Sequence, residues 1–161
     1  MTEEGFKHLF ETHFEEIRRY IFFRSGDTTI SSDIAQETFM KVWEKQLDAK
    51  AGKDVALLYR IAGNLLISHF RKEKVSKKAQ IEMRLEFKNE DHQELYYKEL
   101  KEKYRKALQE LTEKQRTVFM MSRMEQFTYN EISERLDISV KAVEKRMNGA
   151  LKFLRQELDL K

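Results

Sequence analysis

The residues of this chain with the clearest capacity for binding chemistry lie between positions 128 and 149. Two short helical segments with a polar turn between them fit a helix-turn-helix. The second segment carries polar and charged side chains at its N-terminal end, namely Ser139, Lys141, Glu144, Lys145 and Arg146. Lysine and arginine can donate to phosphates and guanine, while glutamate can accept from cytosine N4. The segment therefore predicts a recognition helix for the major groove of DNA.

The same pattern also fits a plain helical corner whose charged side chains are solvated and bind nothing. In either case a small apolar core must fix the angle between the two helices, and the candidates are Ile132, Leu136, Ile138 and Val143. Asp137 stands in the turn, where glycine is usual because a left-handed backbone is often needed there. Aspartate tolerates that conformation better than most residues, so the departure is mild.

Composition favours a folded helical protein. Apolar residues make up 40% of the 161 positions and charged residues 37%, with a net charge of +3. The sequence has no proline, and it has no cysteine for disulfides or thiolate metal sites. No stretch approaches the roughly 20 apolar residues of a membrane span, and the first residues are acidic where a signal peptide is basic. We therefore expect a soluble, cytoplasmic protein that is not itself a membrane protein.

Apolar periodicity and capping residues divide the chain into two small helical domains. We expect helices over about 4–24, after a cap at Ser31-Ser32, and from about Asp54 to 72. Three more helices should begin after Thr112, Thr128 and Ser139, where threonine or serine can cap them. The prediction is thus an all-α chain with domains at 1–72 and 107–161, joined by a charged linker at 73–106.

Three segments carry a family resemblance. Residues 33–43 (DIAQETFMKVW) resemble region 2.2 of sigma-70-type sigma factors, and 58–72 (LYRIAGNLLISHFRK) resemble regions 2.3 and 2.4. Residues 108–158, with EKQRTVF and YNEIS, resemble region 4. On these motifs the chain resembles the extracytoplasmic-function sigma factors, which keep regions 2 and 4 and lack the others. The resemblance implies an RNA polymerase sigma factor that directs transcription initiation at promoters.

The resemblance also implies which residues contact the partners. The second helix should dock on the β′ clamp of core RNA polymerase, and the β flap is the other expected polymerase contact. The polar stripe at i, i+3, i+4 and i+8 of that helix supplies the docking candidates Asp33, Gln36, Glu37 and Lys41, with Phe39, Val42 and Trp43 as core behind them. A solvated face with no partner is the alternative reading of this stripe.

The third helix resembles the reader of the promoter −10 element. Ring, amide and positively charged groups that could hold flipped bases and phosphates lie along it at Tyr59, Arg60, Asn64, His69, Arg71 and Lys72. The 46–54 loop is the expected rim of the base pocket. Ser68 stands where the family usually has aspartate, and Gly63 where a larger residue is common. The first change predicts a lost hydrogen bond and the second a weaker phosphate contact.

Two other functions compete with this one. A non-sigma regulator would explain the helix-turn-helix but would leave 33–72 unexplained. A metal site could use His13 and Glu16, with His8 nearby, but the order is the reverse of the usual Glu-x-x-His and no second copy exists. Glycine-rich phosphate loops, nucleophile elbows and paired-carboxylate motifs are absent from the sequence. We therefore expect no enzyme and no cofactor, and the family resemblance implies an anti-sigma factor as a further partner.

Overall fold

The computed structural model describes residues 1–47, 54–73 and 94–158, and within these ranges the regular elements are all α-helices, with no strand. The helices that this part of the chain forms are α1 (Glu3–Ser25), α2 (Thr28–Glu44), α3 (Asp54–Glu73), α4 (Glu94–Glu110), α5 (Glu113–Arg123), α6 (Tyr129–Leu136) and α7 (Val140–Glu157). The all-α prediction is confirmed. None of the described helices is long and apolar enough to cross a membrane.

The junction between α1 and α2 differs from the sequence prediction. Helix α1 ends at Gly26, whose positive φ of 70° suits a residue without Cβ. The N-cap of α2 is Asp27, whose carboxylate accepts a hydrogen bond from the Ile30 amide. The predicted cap at Ser31-Ser32 is wrong, because Ser31 is already inside the helix and donates its hydroxyl to the Asp27 carbonyl. The nearer aspartate takes the cap position and lengthens α2 by one turn.

Helices α1, α2 and α3 pack on one another and form the N-terminal unit. Its core is aliphatic and aromatic, with the fully buried side chains Ile17, Ile21, Phe39, Val42, Leu58 and Leu66. Trp43 is not core as predicted: 39% of it is exposed, and its ring lies 5.0 Å from that of Phe6 at the edge of the unit. Trp43 is partly exposed because it lies in the last turn of α2, beyond the packed core.

Helices α4 to α7 form the C-terminal unit. The three predicted caps are confirmed: Thr112, Thr128 and Ser139 each accept a hydrogen bond from a backbone amide three residues on. Thr128 and Glu131 form a complete capping box. The core includes Leu108, Val118, Met120, Met121, Ile132 and Val143. Helix α4 begins at Glu94, within the segment predicted as linker, and residues 74–93 lie outside the described residues.

The two units pack directly against each other. Helix α1 contacts α5, and α3 contacts α6. We call this shared boundary the seam, and it consists of α1 and α3 on one side and of α5, α6 and the 124–128 turn on the other. The sequence analysis predicted two small domains and did not predict that they contact each other.

Candidate functional site

The predicted docking stripe of α2 lies on the surface. Asp33, Gln36 and Glu37 are exposed, and Lys41 is half-buried. Met40 lies between them and is 58% exposed, although it is a large apolar side chain. The opposite face of α2 holds the buried Ile34, Ala35, Thr38, Phe39 and Val42. The stripe is therefore polar, accessible and set around one unpacked methionine.

The predicted −10 residues of α3 are spread along one helix but differ in exposure. Arg60, Asn64, Arg71 and Lys72 are exposed, and His69 is half-buried. Residues 48–53, which make up most of the predicted pocket rim, lie outside the described residues. Ser68 is exposed, so its side chain is not part of the packed core. The structure thus presents a ridge of positive and amide groups along α3.

Tyr59 is placed differently from the other predicted −10 residues. Only 3% of it is exposed, and its ring lies 4.6 Å from that of Tyr20. Burial raises the pKa of its hydroxyl well above 10.0, and the neighbouring Glu16 carboxylate, which accepts its hydrogen bond, adds to that rise. In this arrangement Tyr59 offers no ring surface to a base.

Gly63 lies on the side of α3 that faces Tyr20 and Arg24 of α1. A Cβ on this residue would stand 2.9 Å from Nη1 of Arg24 and 3.6 Å from the Tyr20 hydroxyl. Gly63 therefore leaves room for the Arg24 guanidinium, which contacts Tyr20 and Glu113. The family departure at this position has a packing consequence in this chain.

The helix-turn-helix prediction is confirmed in geometry. Helices α6 and α7 are joined through Asp137, which adopts the left-handed conformation at φ 54° and ψ 48°. The Ser133 hydroxyl donates to the Ile138 carbonyl and ties the turn to α6. On α7, the predicted contact residues Ser139, Lys141, Glu144 and Lys145 are exposed, and Arg146 is half-buried. The N-terminal end of α7 thus projects a mixed-charge face into solvent.

Buried charged groups cross the seam. Arg135 of α6 donates to the Glu16 carboxylate of α1 at 3.2 Å, and both side chains are at most 15% exposed. The Arg135 guanidinium also lies 4.0 Å from the centre of the Phe127 ring. Burial raises the pKa of Glu16, but the contact with His13 and the charge of Arg135 outweigh it, so the net pKa lies below 4.5. The pair is therefore held by opposite charge and is largely shielded from solvent.

Two further charged pairs join α1 to the C-terminal unit. Arg19 makes two hydrogen bonds to the Glu125 carboxylate, one of them at 3.1 Å between Nη2 and Oε2. Arg24 contacts Glu113 at the start of α5. Bidentate arginine–carboxylate pairs fix geometry as well as charge. These charged pairs therefore help to fix the orientation of the two units at the seam, in addition to apolar packing.

Arg116 is the most deeply buried cation of the seam that the structure describes, with 7% exposed. Its Nε donates to the Phe23 carbonyl at 2.8 Å, and its Nη2 to the Arg24 carbonyl at 3.2 Å. These carbonyls belong to the last turn of α1, where no intrahelical donor remains and a positive charge is favoured. A residue of the C-terminal unit thus caps a helix of the N-terminal unit.

The metal reading finds no support from geometry. His13 Nδ1 lies 3.3 Å from Glu16, but that carboxylate is already occupied by Arg135. Among the residues that the structure describes, no three His, Cys, Asp or Glu side chains are grouped to hold a metal ion. His13 is better described as a neighbour of the seam.

Sequence reasoning missed the residues that cross the seam. Glu16, Arg19, Arg116, Glu125 and Arg135 look like ordinary surface charges of amphipathic helices. Their partners lie about a hundred positions away, so no local spacing signals them. Met40 was also missed, and an apolar residue inside a polar stripe was the available signal.

Comparisons with known proteins agree with this organisation. The family model "Sigma-70 region 2" matches residues 9–75, and "Sigma-70, region 4" matches 101–154. The RNA polymerase sigma factor SigZ of Bacillus subtilis (strain 168) is 26% identical over 159 residues, covering 94% of this chain and 85% of that protein. The region 2 match accounts for the segment that a non-sigma regulator would leave unexplained.

A solved structure has the same fold. The sigma factor RpoE, in its co-crystal structure with the anti-sigma factor NepR from Bartonella quintana, superposes with a TM-score of 0.67 over 98% of both chains, at 20% identity. The two family matches together span most of the chain, with region 2 before region 4. This chain therefore belongs to the sigma-70 family, as an RNA polymerase sigma factor of the extracytoplasmic-function group.

Proposed function

We propose that this sigma factor docks on core RNA polymerase through α2, reads the −10 element with α3 and reads the −35 element with α7. The observation that carries the proposal is the exposure of the α2 stripe and of the N-terminal end of α7 in a compact chain. Polar residues on a helix are usually solvated, but here they occupy the segments that match regions 2 and 4.

The α2 stripe suits a helical partner such as the β′ clamp. Asp33, Gln36, Glu37 and Lys41 offer both charges and an amide on one face, which allows register to be set by polar contacts. The exposed Met40 supplies an adaptable apolar contact in their midst. A polar rim around an apolar centre is the usual anatomy of a protein interface.

The −35 proposal rests on the face of α7. Lys141, Glu144 and Lys145 lie at i, i+3 and i+4, so they share one face at the entering end of the helix. Arg146 is turned about 100° from Lys145 and suits a phosphate. Ser139 caps the helix and directs its first amides, which also favour phosphate.

The −10 proposal rests on α3. Arg60, Asn64, His69, Arg71 and Lys72 combine positive charge with hydrogen-bonding groups along one helix, as capture of single-stranded DNA requires. Tyr59 is proposed as a stacking ring only when its side chain leaves the seam. This condition is specific to Tyr59, since Arg60, Asn64, Arg71 and Lys72 are exposed and His69 is only half-buried.

Further partners follow from the family. We include an anti-sigma factor among them, supported by the RpoE structure, whose partner is the anti-sigma factor NepR. The β flap is proposed as the polymerase contact of the C-terminal unit. The protein is proposed to act in the cytoplasm, where promoters are transcribed, and to contribute binding and positioning with no catalytic step of its own.

Reconstitution with purified core polymerase tests the docking face. Gln36→Ala with Lys41→Ala should weaken core binding while the chain stays folded, because surface changes cost within about 0.5 kcal/mol of stability. Lys7→Ala with Glu11→Ala, a matched exposed pair on α1, should leave binding unchanged. Equal core affinity of the two variants would remove α2 as the docking face.

A promoter library tests the DNA contacts in the same system. The holoenzyme should select sequences with two separated conserved elements from a randomised pool, and the free chain should select none. Few base contacts per helix give affinities near the non-specific level, so polymerase must hold both helices in place. Specific, tight binding of promoter DNA by the free chain would contradict this.

A further inference from the structure

A cavity of about 560 Å³ lies where four helices meet. Its walls come from the C-terminal part of α1, the first turns of α5, the turn between α6 and α7, and the middle of α7. Small-molecule sites in proteins have volumes of about 300–1,000 Å³. The cavity is therefore large enough to hold a ligand of the size of a metabolite.

The charged groups of this cavity are mostly positive. Arg24, Lys114 and Arg146 line it, against the single carboxylate of Glu113. Arg24 and Glu113 form an ion pair with each other, so their charges cancel. In the part of the chain that the structure describes, the side chains of Lys114 and Arg146 have no acceptor. Two uncompensated cations therefore face one cavity.

The environment of Arg146 distinguishes this pair from ordinary surface cations. Lys114 is exposed, as an unpaired lysine usually is, but Arg146 is half-buried. A guanidinium carries five N–H donors and keeps its charge in a protein, so its removal from water is costly unless acceptors replace the water. An anion in the cavity would supply those acceptors to Arg146 and Lys114 together. Arginine suits phosphate in particular, because its planar fork can donate two parallel hydrogen bonds.

The other walls of the cavity indicate what the anion is attached to. Leu136 and Ile138 are half-buried and line it beside Tyr20 of α1. Inorganic phosphate would use the two cations and leave this apolar wall without a contact. A molecule that joins a phosphate to a flat ring would use both. A DNA duplex, whose major groove alone is about 12 Å wide, is too large to enter.

We propose that the cavity binds a small phosphomonoester that carries a ring, of the nucleoside monophosphate class. Lys114 and Arg146 hold the phosphate, and Leu136 and Ile138 contact the ring. The site belongs to the free chain and does not depend on the promoter contacts proposed for α3 and α7.

Calorimetric titration of the whole free chain tests the site with three probes: adenosine monophosphate, adenosine and inorganic phosphate. Adenosine monophosphate should bind one to one with a dissociation constant below about 1 mM, and at least about tenfold more tightly than either other probe. Only this probe reaches both the cations and the apolar wall. Absence of binding at millimolar concentration would overturn the inference. Inorganic phosphate that binds as tightly as the nucleotide would overturn the ligand class.

A charge-matched pair of variants tests the two cations. Lys114→Ala with Arg146→Ala should weaken binding of adenosine monophosphate at least about tenfold. The control is Lys152→Ala with Arg155→Ala, which removes the same charge from exposed positions of α7 outside the cavity and should leave the affinity unchanged. Equal weakening by both variants would reveal attraction to net charge alone and would overturn the site. Circular dichroism confirms that both variants are folded.

Photolabelling of the unmodified chain locates the ring. After irradiation with 8-azidoadenosine monophosphate, peptide mapping should place the label in the peptide that contains Leu136 and Ile138. An excess of adenosine monophosphate should prevent this labelling. Label that is confined to other peptides, or that persists in the presence of the excess, would overturn the proposed position of the ligand.

Discussion

The two helices proposed to contact DNA differ in how far the rest of the chain buries them. Helix α7 projects Lys141, Glu144 and Lys145 into solvent, whereas α3 has Tyr59 buried and Arg60 facing α6. Helix α7 is bounded by its own caps and supported from behind by its own unit. Helix α3 shares a face with the other unit, so its access depends on where that unit lies. Access of DNA to α3 therefore depends on the position of the C-terminal unit, whereas access to the N-terminal end of α7 does not.

The largest expected effect comes from breaking the buried pair of the seam. Arg135→Ala should lower the free energy of unfolding by about 3 kcal/mol, because it leaves the Glu16 carboxylate buried without its partner. Urea denaturation measures this, with Arg18→Ala as the control that stays within about 0.5 kcal/mol. An Arg135→Ala chain as stable as that control would mean that α6 does not hold its place over α3.

The next effect concerns α7, the helix that is proposed to read the −35 element and whose N-terminal end is exposed. Glu144→Ala should change the preferred −35 base at one position, costing about 1–3 kcal/mol there. Arg146→Ala should weaken all promoters similarly and reduce the salt slope by about one. Transcription from a library of −35 variants with purified core polymerase distinguishes them. Uniform weakening by Glu144→Ala, with re-ranking by Arg146→Ala, would reverse the two roles.

A smaller effect is expected at the turn between α6 and α7. Asp137→Gly should raise the free energy of unfolding by about 0.5–1 kcal/mol, because glycine adopts the left-handed backbone without a Cβ penalty. Asp137→Asn keeps a residue that tolerates this backbone but removes the charge that faces Arg60. Since that pair is exposed, the asparagine variant should unfold like the parent chain. A large loss in the asparagine variant would show that the Arg60 pair supports the seam.

The smallest effect is a pH dependence of the seam. The pKa of Glu16 is lowered in the folded chain, so its stabilising contribution is complete above the ordinary value of 4.5 and is lost as the pH falls through the folded value. Unfolding free energies measured between pH 3 and pH 7 should therefore fall more steeply for the parent chain than for Glu16→Gln. Parallel curves for the two proteins would remove Glu16 from the charged pairs of the seam.

Local signals predicted the helix-turn-helix closely. The caps at Thr128 and Ser139 act within four residues of chain, and Asp137 adopts the backbone that its place in the turn requires. The cap of α2 was misplaced because Asp27 and Ser31 are both good cap residues, and only packing decides between them. Trp43 was assigned to the core from periodicity, which does not indicate where a helix leaves its unit.

The seam was beyond prediction for a different reason. Arg116 has the sequence context of a surface residue, and its acceptors are backbone carbonyls, which every residue has. Nothing in a local pattern marks a carbonyl at the end of one helix as the partner of an arginine 93 positions away. To predict the contact residues of α2 and α7, it was enough to know which side chains are exposed. To predict the contacts of the seam, the relative placement of the two units had to be known.

The position of Trp43 has a consequence for how the chain can be observed. It is the sole tryptophan of the sequence, and it packs on Phe6 at the edge of the N-terminal unit. Its fluorescence emission therefore follows the unfolding of that unit, whereas far-ultraviolet ellipticity averages over both. Where the seam couples the units, the two signals change at the same urea concentration, and where it has been broken they separate. The chain thus carries a built-in optical probe of its own cooperativity.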